Sequence, residues 1–492
     1  MKTVDPVEVP NVQYLSDWTD LDNKLPQGKI IVNKIICGCG MTDYYLTNDM
    51  PVILASPRRE LILSKTKDPR TRHAYYFDRS DNKVDVEESK YRLSKYLDQC
   101  VSSAPKIMCT YKSLYHVIDV LFHRDCLDIF TIIGDEMTCI FTDAKMNGPE
   151  NMELVNLIST LPNRCIFITA TPLKEPYLDA VPVFKDMTYV TLKWPKEKYN
   201  KVLLRKQKME TTQSAICGII ESFRMKKCFD QKFVDGKQYN STEAVFFINS
   251  VKDIISVVKK AGLTSADTRV ICADDPKNRA DLKKVGLEIG HFPGILEYKD
   301  QENKRTFTFA TKCSFEGADL HSDCAKIYVF ADSNRENLSL DISIDLPQII
   351  GRCRTKGNPF RHDIELYYKT TNAVGFELEE AKQEIQAKID RTHNLINKMS
   401  GFTDLDILEK FKAAQAKQQY SKDYVDVVGD GNGKYILAEN ALVILADLRA
   451  MEIAYEQYKS NYSVFCYLKD NGYDAVDYHA LSNTCLLYTS DA

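Results

Sequence analysis

Short apolar runs alternate with helical patterns over roughly the first 190 residues. Five of these runs have the length of a buried parallel strand, and they lie at 30–36, 52–55, 107–110, 130–134 and 165–169. Apolar residues with helical spacing fall between some of them, at 86–100 and 111–122. Strands that alternate with helices in this way predict a doubly wound parallel sheet with helices on its faces.

The same alternation restarts after residue 195. Strands are predicted at 244–248, 269–273, 306–311, 326–331 and 363–368, with helices at 211–227 and 251–261. This second series predicts another α/β domain that ends near Thr371. Beyond residue 376 the pattern changes to amphipathic helices at 377–399, 405–419 and 438–458. A hairpin of 424–428 and 434–437 is predicted around the acidic glycine turn 429–433, which lacks the distal glutamate of a calcium loop.

The predicted fold class is therefore α/β, with two tandem doubly wound parallel sheets and a mainly helical C-terminal region. The expected divisions are an extension at 1–27, a first α/β domain at 28–192, a linker at 193–210, a second α/β domain at 211–375 and a helical accessory region at 376–484. The lysine-rich segment 193–208 is expected to be a solvated connection rather than a nucleic-acid contact. Residues 485–492 resemble the translation of a sequencing adapter, so they are excluded from fold reasoning.

Composition narrows the class of protein. A chain of 492 residues is too long for one core and suggests two or three domains. Its 15 cysteines are scattered without paired Cys-x-x-Cys motifs, which favours reduced, buried thiols over zinc or disulfides. With 65 basic and 69 acidic residues, any nucleic-acid groove must be locally basic. Neither a long apolar stretch nor an apolar signal core is present, so we expect a cytoplasmic protein without a membrane partner.

A glycine-rich loop follows the first predicted strand. It reads Gly38, Cys39, Gly40, Met41 and Thr42. Glycines after a buried strand let backbone N–H groups surround a polyphosphate, and the following helix presents its positive end to the same anion. The hydroxyl of Thr42 is placed to ligate Mg²⁺. The sequence therefore predicts a loop that binds ATP with Mg²⁺.

This loop lacks the lysine that usually precedes the threonine, and Met41 stands in its place. Removing one partner of a desolvated charge pair costs about 2–5 kcal/mol, so another cation is needed for normal ATP binding or turnover. Lys34 precedes Gly38 by four residues, about 13 Å along an extended strand, which argues against it. Arg58, Arg59 or a residue of the second domain are the other possibilities.

An acidic pair, Asp135 and Glu136, directly follows the apolar run 130–134. At the carboxyl end of a central strand, the first acid can hold Mg²⁺ through water and the second can orient the attacking water. A surface turn is the alternative, since acids are common after strands. The other motifs, which occur in a fixed order around this pair, favour the functional interpretation.

The ordered set of motifs resembles superfamily 2 helicases and translocases of the DExx type. Its members are the glycine loop, the run Gly134-Asp135-Glu136-Met137-Thr138, the run Thr169-Ala170-Thr171-Pro172 and the run 348–354. In that superfamily two RecA-like domains clamp ATP and move along nucleic acid. Segments 33–42 and 55–61 are similar to tailed-phage helicase-like proteins, whose Gly-x-Gly-x-Thr loop has no lysine. The resemblance covers roughly residues 28–371.

The resemblance implies roles for further residues. Thr169 and Thr171 would couple the nucleotide pocket to nucleic acid. Arg352 would neutralise charge on the γ phosphate, with Gln348 beside it and Arg354 as a second finger. This Gln-x-x-Gly-Arg motif is expected to open a helix. Asp319 would lie near the ribose or the interdomain seam. Contacts to the nucleic-acid backbone are expected from Ser56, Pro57, Arg58, Thr110, Tyr111 and Thr311.

The sequence thus favours an ATP-dependent superfamily 2 helicase or translocase. The resemblance suggests a phage protein of DNA replication, repair or recombination, acting in the host cytoplasm on DNA rather than RNA, with replication or recombination proteins as further partners. Met41 motivates one alternative, a hydrolysis-deficient clamp for nucleic acid or a partner. A nuclease-coupled motor is a second alternative, although no Pro-Asp…Asp/Glu-x-Lys constellation is evident. Tyr111 could simply pack in the core.

Overall fold

The computed structural model describes residues 2–78, 85–171, 173, 175–196, 201–315, 319–371, 378–416, 424–429 and 434–477. Several sequence interpretations lie outside these described residues. They concern Pro172, the glycine turn at 430–433 and the adapter-like tail at 485–492.

The elements are labelled in chain order. Up to residue 195 they are β1 Lys2–Thr3, β2 Val7–Glu8, α1 Leu21–Lys24, β3 Lys29–Asn33, α2 Met41–Thr47, β4 Val52–Ser56, α3 Arg59–Lys67, β5 Tyr75–Phe77, α4 Val86–Gln99, β6 Lys106–Thr110, α5 Leu114–His123, β7 Thr131–Gly134, α6 Cys139–Thr142, α7 Ala144–Thr160, β8 Cys165–Thr169, α8 Glu175–Asp179, α9 Pro182–Lys185 and β9 Thr188–Lys193.

The elements that follow, up to residue 371, are β10 Leu203–Lys208, α10 Thr212–Lys226, β11 Gln231–Val234, β12 Lys237–Asn240, β13 Glu243–Phe247, α11 Val251–Ala261, β14 Thr268–Ile271, α12 Pro276–Lys283, β15 Phe307–Ala310, β16 Ala325–Asp332, α13 Asp345–Ile350 and β17 Asp363–Lys369. The last group is α14 Leu378–Met399, α15 Leu405–Ala416, β18 Val425–Gly429, β19 Tyr435–Glu439, α16 Ala441–Glu452, a π-helical turn Ile453–Gln457, α17 Asn461–Asp470 and β20 Asp474–Asp477.

The chain forms two compact units. The first contains Met1–Pro195 and Gly375–Met451, and the second contains Lys196–Val374 and Glu452–Ala492. The region expected to be one accessory domain is therefore divided, because its first part joins the first unit and its last part joins the second. The helical pattern at 438–458 gave no sign of this division, which falls between Met451 and Glu452.

The first unit is built on a parallel sheet with the strand order β1-β9-β3-β8-β7-β4-β6-β5, and β2 also pairs with β9. Its central strands are buried along their length, as the continuous apolar runs predict. Since all pairings are parallel, the carboxyl ends of the strands lie at one edge of the sheet. The residues that follow β3, β4, β6, β7 and β8 therefore meet at that edge.

The second unit is built on a parallel sheet with the order β14-β15-β13-β16-β17-β10-β20. Hydrophobic clusters cover both of its faces. The last strand, β20, pairs in parallel with β10 and so adds the far end of the chain to this sheet. The two parallel sheets, each with helices on its faces, confirm the predicted α/β fold class with two tandem doubly wound sheets.

Part of the C-terminal segment packs on the first unit through α7 and α16. Asp447 of α16 forms ion pairs with Lys145 of α7, at 2.6 Å, and with Lys388 of α14, at 3.2 Å. A side chain on Gly148 of α7 would collide with Asn440, at 2.8 Å from its amide nitrogen. This close approach fixes α16 against α7.

The expectation that 193–208 is a solvated connection is wrong for its second half. That half forms β10, in which Lys206 is only 1% exposed. The ammonium of Lys206 binds Asp477 at 2.6 Å and Asn461 at 2.7 Å. Arg205 pairs with the fully buried Asp363 of β17 at 2.5 Å. Arg205 and Lys206 of this strand are therefore matched by acceptors far away in sequence, which a local charge count cannot anticipate.

Among the described residues, no helix has both the length and the apolar character needed to cross a bilayer.

One half-buried histidine of the second unit is expected to make stability depend on pH. Burial, together with the positive charges of Arg361 and Lys232, lowers the pKa of His362 from 6.5 to about 4. Neither ring nitrogen has a hydrogen-bond partner. The unfolded chain therefore binds a proton as the pH falls through about 6.5, whereas the folded chain binds it only near 4, so stability is lost across this range.

His362→Leu is expected to reduce the fall in Tm between about pH 7 and about pH 5, measured by calorimetry on the full chain. His291→Leu, at an exposed histidine of the same unit, is the matched control and should leave the fall unchanged. An equal fall in wild type and His362→Leu would contradict the prediction.

Candidate functional site

Three adjacent strands bring the main sequence motifs together. Strand β8 pairs with β3 on one side and with β7 on the other, in parallel. The glycine loop, the acidic pair and the threonine motif, which follow β3, β7 and β8, therefore share one edge of the sheet. This is the edge at which open α/β sheets bind ligands.

The chain turns immediately after β3. Strand pairing stops at Asn33, and Ile35 has a φ of 62°, which is rare for a β-branched residue. The N–H of Ile35 donates to the side-chain oxygen of Asn33 at 3.0 Å, and the N–H of Ile36 donates to the carbonyl of Lys34 at 2.6 Å. Gly38 follows with a φ of 67°. The loop therefore begins earlier than the apolar run 30–36 predicts.

Gly40 satisfies two constraints. Its φ is 85°, and a Cβ there would lie 3.0 Å from the Cβ of Tyr14. The carbonyl of the preceding Cys39 accepts the N–H of Leu15 at 2.7 Å. The segment before α1 therefore packs against the glycine loop. Any residue larger than glycine at position 40 would push the loop away from this segment.

Lys34 reaches the acidic pair, contrary to the expectation from its spacing. Its ammonium lies 3.1 Å from Oε1 of Glu136 and 3.6 Å from Oδ1 of Asp135, with the residue only 5% exposed. The expectation assumed an extended chain from Lys34 to Gly38. Because the strand ends at Asn33 and the backbone reverses at Ile35, the side chain does not need to double back.

The arginines suggested as substitute cations have other partners. The guanidinium of Arg58 pairs with Asp143 at 2.7 Å, and that of Arg59 pairs with Asp78 at 3.1 Å. Of the cations considered in the first unit, Lys34 is the one whose charge lies against the acidic pair.

The side chain of Met41 is packed in the hydrophobic core. It is 1% exposed and belongs to the hydrophobic cluster that also contains Tyr45 and Leu46. Cys39 is buried as well, and burial raises the pKa of its thiol to about 11, which keeps it neutral near pH 7. The side chains of these two loop residues thus serve packing, and only their backbone groups can meet a ligand.

The acidic pair has an unusual backbone. Glu136 has a φ of 51°, in the left-handed region that non-glycine residues seldom occupy. Its N–H donates to Oδ1 of Asp135 at 3.0 Å, and the next N–H, that of Met137, donates to the carbonyl of Ile168 at 3.0 Å. Local strain of this kind clusters at functional sites, so this turn is a candidate on backbone grounds alone.

Asp135 connects the glycine loop to Tyr111, the residue that follows β6. Its Oδ2 accepts the hydroxyl of Thr42 at 3.0 Å, across 93 positions in sequence. Its carbonyl accepts the hydroxyl of Tyr111 at 2.5 Å. Tyr111 is 7% exposed, so its placement favours the packing alternative: it supports Asp135 from inside the protein.

The charges of this cluster do not cancel. One ammonium faces two carboxylates in a buried setting. Burial alone would lower the pKa of Lys34, but the charges of Glu136 and Asp135 together raise it above its ordinary value. Burial raises the pKa of Asp135, and the neighbouring Glu136 adds to this while Lys34 opposes it. The surplus of negative charge suits a further cation.

This donor set fits Mg²⁺ bound to a polyphosphate. The hydroxyl of Thr42 and the carboxylate of Asp135 are oxygen donors, which Mg²⁺ prefers. In the described part of the chain, no three His, Cys, Asp or Glu side chains are grouped so that they could hold a metal by themselves. Phosphate and water would therefore complete the coordination, as is usual for Mg²⁺ in phosphate sites.

A hydroxyl network joins the acidic motif to the threonine motif. The hydroxyl of Thr138 lies 2.8 Å from that of Thr169 and donates to the carbonyl of Thr171 at 2.8 Å. The N–H of Thr171 in turn donates to the hydroxyl of Thr169 at 3.0 Å. All three threonines are buried. The sequence interpretation gave Thr138 no separate role, although it lies inside the acidic motif.

Gly134, the last residue of β7, is expected to tolerate no side chain. A Cβ there would lie 2.5 Å from Cδ1 of Phe167, its neighbour on β8. Gly134→Ala should destabilise the protein by about 1–3 kcal/mol through overpacking, a fall in Tm of several degrees.

Phe167→Leu removes the ring that causes this collision, so adding it to Gly134→Ala should restore part of the lost Tm. The two effects would then be non-additive, as expected for side chains in contact. Simple additivity of the two single substitutions in calorimetry would contradict the collision.

The other residues expected at nucleic acid lie at the same edge of the first sheet. Ser56 is fully buried, and its hydroxyl accepts the N–H of Arg58 at 3.3 Å. Pro57 lies between them and is partly exposed. The hydroxyl of Thr110 contacts that of Ser113 at 3.0 Å. These residues follow β4 and β6, and their contact with nucleic acid remains a prediction.

In the second unit, Arg352 is buried against Gln348. Its Nε donates to the carbonyl of Gln348 at 2.8 Å, and one terminal nitrogen donates to Oε1 of the same residue at 3.1 Å. The expectation that this motif opens a helix is wrong, because Gln348 lies inside α13, which ends at Ile350. The chain continues into a parallel bridge between Cys353 and Leu320, which ends the helix before Arg352.

The remaining predicted residues of this unit are engaged locally. Arg354 pairs with Asp319, with Nε to Oδ1 at 2.7 Å. The hydroxyl of Thr311, after β15, donates to the carbonyl of Ile271 at 3.3 Å.

The comparisons with known proteins give only structural neighbours. No family model matches the chain, and no curated protein matches it in sequence. Solved structures that it matches include the Mycobacterium smegmatis helicase Lhr bound to ssDNA and AMP-PNP, at 12% identity over 88% of this chain and 60% of that chain, with a TM-score of 0.41.

Two further neighbours are the DEAD-box helicase Mss116 bound to ssRNA and UDP-BeF, and T. fusca Cas3 with AMPPNP. The first has 10% identity over 81% of this chain and 90% of that chain, with a TM-score of 0.46. The second has 11% identity over 95% of this chain and 56% of that chain, with a TM-score of 0.44. The chain thus spans somewhat more than half the length of the Lhr and Cas3 chains.

Proposed function

We propose that this protein is an ATP-dependent nucleic-acid helicase or translocase of superfamily 2. One observation carries the proposal: the glycine loop and the acidic pair, which are about a hundred residues apart, form a single buried cluster of charged and hydroxyl groups. Its shortest links are Thr42 to Asp135 at 3.0 Å and Lys34 to Glu136 at 3.1 Å. The alternative interpretation, a surface turn, would leave both acidic side chains exposed to solvent. Asp135 and Glu136 are instead only 1% and 6% exposed.

The proposed chemistry is hydrolysis of the terminal phosphate bond of ATP. Thr42 and Asp135 would hold Mg²⁺, which supplies positive charge against the phosphate oxygens. Glu136 would orient the attacking water and accept its proton. Gly38 and Gly40 allow the tight loop around the phosphates, and Asp319 would bind near the ribose. In the second unit, Gln348, Arg352 and Arg354 would bind or stabilise the transferred phosphate.

The proposed coupling to nucleic acid runs through the threonine network. Thr138 links the acidic motif to Thr169 and Thr171 by hydrogen bonds. A shift of Glu136 on hydrolysis would therefore change the position of the residues that follow β8. The proposed contacts with a nucleic-acid backbone are Ser56, Pro57, Arg58, Thr110 and Thr311. The resemblance to tailed-phage proteins supports DNA as the substrate and phage replication, repair or recombination as the setting.

The test is phosphate release by the purified full chain with ATP and Mg²⁺, alone and with single-stranded DNA, duplex DNA or single-stranded RNA. We expect release that nucleic acid stimulates, DNA more than RNA. Release that is equal with and without every nucleic acid would contradict a motor. If no phosphate is released under any of these conditions, the proposal that the protein hydrolyses ATP is wrong.

Titration with labelled ATP separates this proposal from the alternative of a hydrolysis-deficient clamp. Tight binding without turnover, together with binding of nucleic acid, would favour the clamp. Met41 motivated that alternative, but its side chain packs in the core and a lysine elsewhere reaches the acidic pair, so the geometry favours the enzyme.

A further inference from the structure

We propose that Lys34 replaces the lysine that the glycine loop lacks, and that its ammonium group binds the β and γ phosphates of the nucleotide. The proposal rests on the proposed function, because it requires a polyphosphate at this loop. It assigns the missing positive charge to a residue at the end of the strand rather than at the start of the following helix.

The position of the ammonium is the first argument. It lies within 3.6 Å of both carboxylates of the acidic pair, and Asp135 in turn bonds to Thr42 of the loop. Residues proposed to act on Mg²⁺ and on the attacked phosphate surround it. A cation at this point is within reach of any phosphate that the same groups bind.

The backbone of Lys34 is fixed from two sides, which is the second argument. Its N–H donates to the carbonyl of Thr169 at 2.8 Å, and its carbonyl accepts the indole N–H of Trp194 at 2.9 Å. The left-handed turn at Ile35 follows directly. With its backbone fixed in this way and its ammonium bonded to Glu136 at 3.1 Å, Lys34 is preorganised as an electrostatic group must be.

The third argument is energetic. A buried ion pair contributes little to stability, since well-packed apolar residues in its place are often equally good or better. The neighbours Ile31 and Val32 on β3 are fully buried and apolar. The stability of the fold therefore does not explain a charged residue at the end of this strand. Binding of an anionic ligand does explain it.

Nearby cations do not compete for the role. Arg58, Arg59 and Lys65 pair with Asp143, Asp78 and Asp43 respectively. Lys34 instead has its ammonium within 3.6 Å of both carboxylates of the acidic pair. Mg²⁺ held by Asp135 would leave Glu136, at 3.1 Å, as the carboxylate that faces the ammonium.

The test is equilibrium dialysis of the full chain with labelled ATP, ADP and AMP in the presence of Mg²⁺. In Lys34→Met we expect ATP affinity to fall by about 30-fold or more, with a clear loss for ADP and little change for AMP, which lacks the β and γ phosphates. Lys34→Arg keeps the charge and should lose less. Lys29→Met is the matched control, because Lys29 lies at the other end of β3 and its ammonium binds the carbonyl of Ser159.

Several outcomes would overturn the proposal. ATP affinity within about threefold of wild type in folded Lys34→Met would refute it while leaving the proposed function intact. An equal loss for all three nucleotides would show that Lys34 only supports the fold of the site. Failure of the wild type to bind ATP would overturn both the proposal and the proposed function.

A second background keeps the test decisive if Lys34→Met does not fold. Glu136→Gln removes the carboxylate nearer to the ammonium, so adding Lys34→Met to it leaves the net charge of the cluster as in the wild type. Lys34→Met should again weaken ATP binding by about 30-fold or more relative to Glu136→Gln alone, and an unchanged affinity would refute the proposal.

Met41→Lys provides an independent test. If Lys34 already supplies the charge, a lysine at position 41 adds nothing to binding and places an ammonium in an apolar cluster. We expect unchanged or weaker ATP affinity and a lower Tm. A rise in ATP affinity of about tenfold or more would show that the site lacks a cation, and would overturn the proposal.

Discussion

Replacement of Glu136 by glutamine is expected to abolish nucleic-acid-stimulated phosphate release while leaving ATP binding largely intact. Glutamine keeps the shape of the side chain but cannot accept a proton from the attacking water. Loss of a positioned general base lowers kcat by about 10²–10⁴-fold. Asp135 remains 3.6 Å from the Lys34 ammonium, so the cluster keeps an ion pair and should stay folded.

The measurement is steady-state phosphate release with saturating DNA, together with dialysis of labelled ATP. Glu150→Gln is the matched control, since Glu150 also pairs with a lysine of the first unit, Lys112 at 2.8 Å, but lies on α7. The control should keep kcat. If Glu136→Gln turns over ATP at a rate close to that of wild type, Glu136 is not the base and the acidic motif has another purpose.

The positions of the strands could be predicted well from the sequence. The strand at 165–169 agrees with β8, and the runs at 52–55 and 107–110 differ from β4 and β6 by one residue. These strands are central and buried on both faces, so an apolar run marks them directly. The short edge strands β1 and β2 were missed, because two paired residues leave no recognisable pattern.

The site was harder to predict where backbone turns decide it. Lys34 was rejected on the length of an extended strand, and the left-handed turn at Ile35 removes that premise. A β-branched residue gives no sequence signal of such a turn, since it seldom adopts one. One signal was present: Asn33 and Lys34 are polar residues in an otherwise apolar run, and both are buried at 5% exposure.

Long-range pairing explains the other errors. The basic segment before the second domain became β10 because Asp363 and Asp477 neutralise Arg205 and Lys206. These partners lie far away in sequence and cannot be found by a local count of charges. The division of the C-terminal helices between two units likewise depends on contacts such as Lys145 with Asp447, which no helical periodicity encodes.

Arg352→Ala is expected to lower kcat by about 10³-fold or more while changing the Kd for ATP only slightly. In the superfamily that the chain resembles, the arginine at this position stabilises charge that develops on the transferred phosphate, so it acts in the transition state rather than in ATP binding. Here its guanidinium is bonded to Gln348 and only 3% exposed. On the proposed function, the guanidinium would exchange Gln348 for phosphate during turnover, and the substitution would remove that step.

Arg352→Lys separates charge from geometry. Lysine keeps the charge but lacks the planar fork, so it should recover only a small part of kcat. Arg335→Ala is the matched control, because Arg335 pairs with Asp253 in the same unit and belongs to no motif. Removal of Arg352 also takes away the guanidinium that donates to the buried Gln348, so the Tm must be measured alongside. A folded Arg352→Ala protein with wild-type kcat would mean that the guanidinium only stabilises the turn after α13.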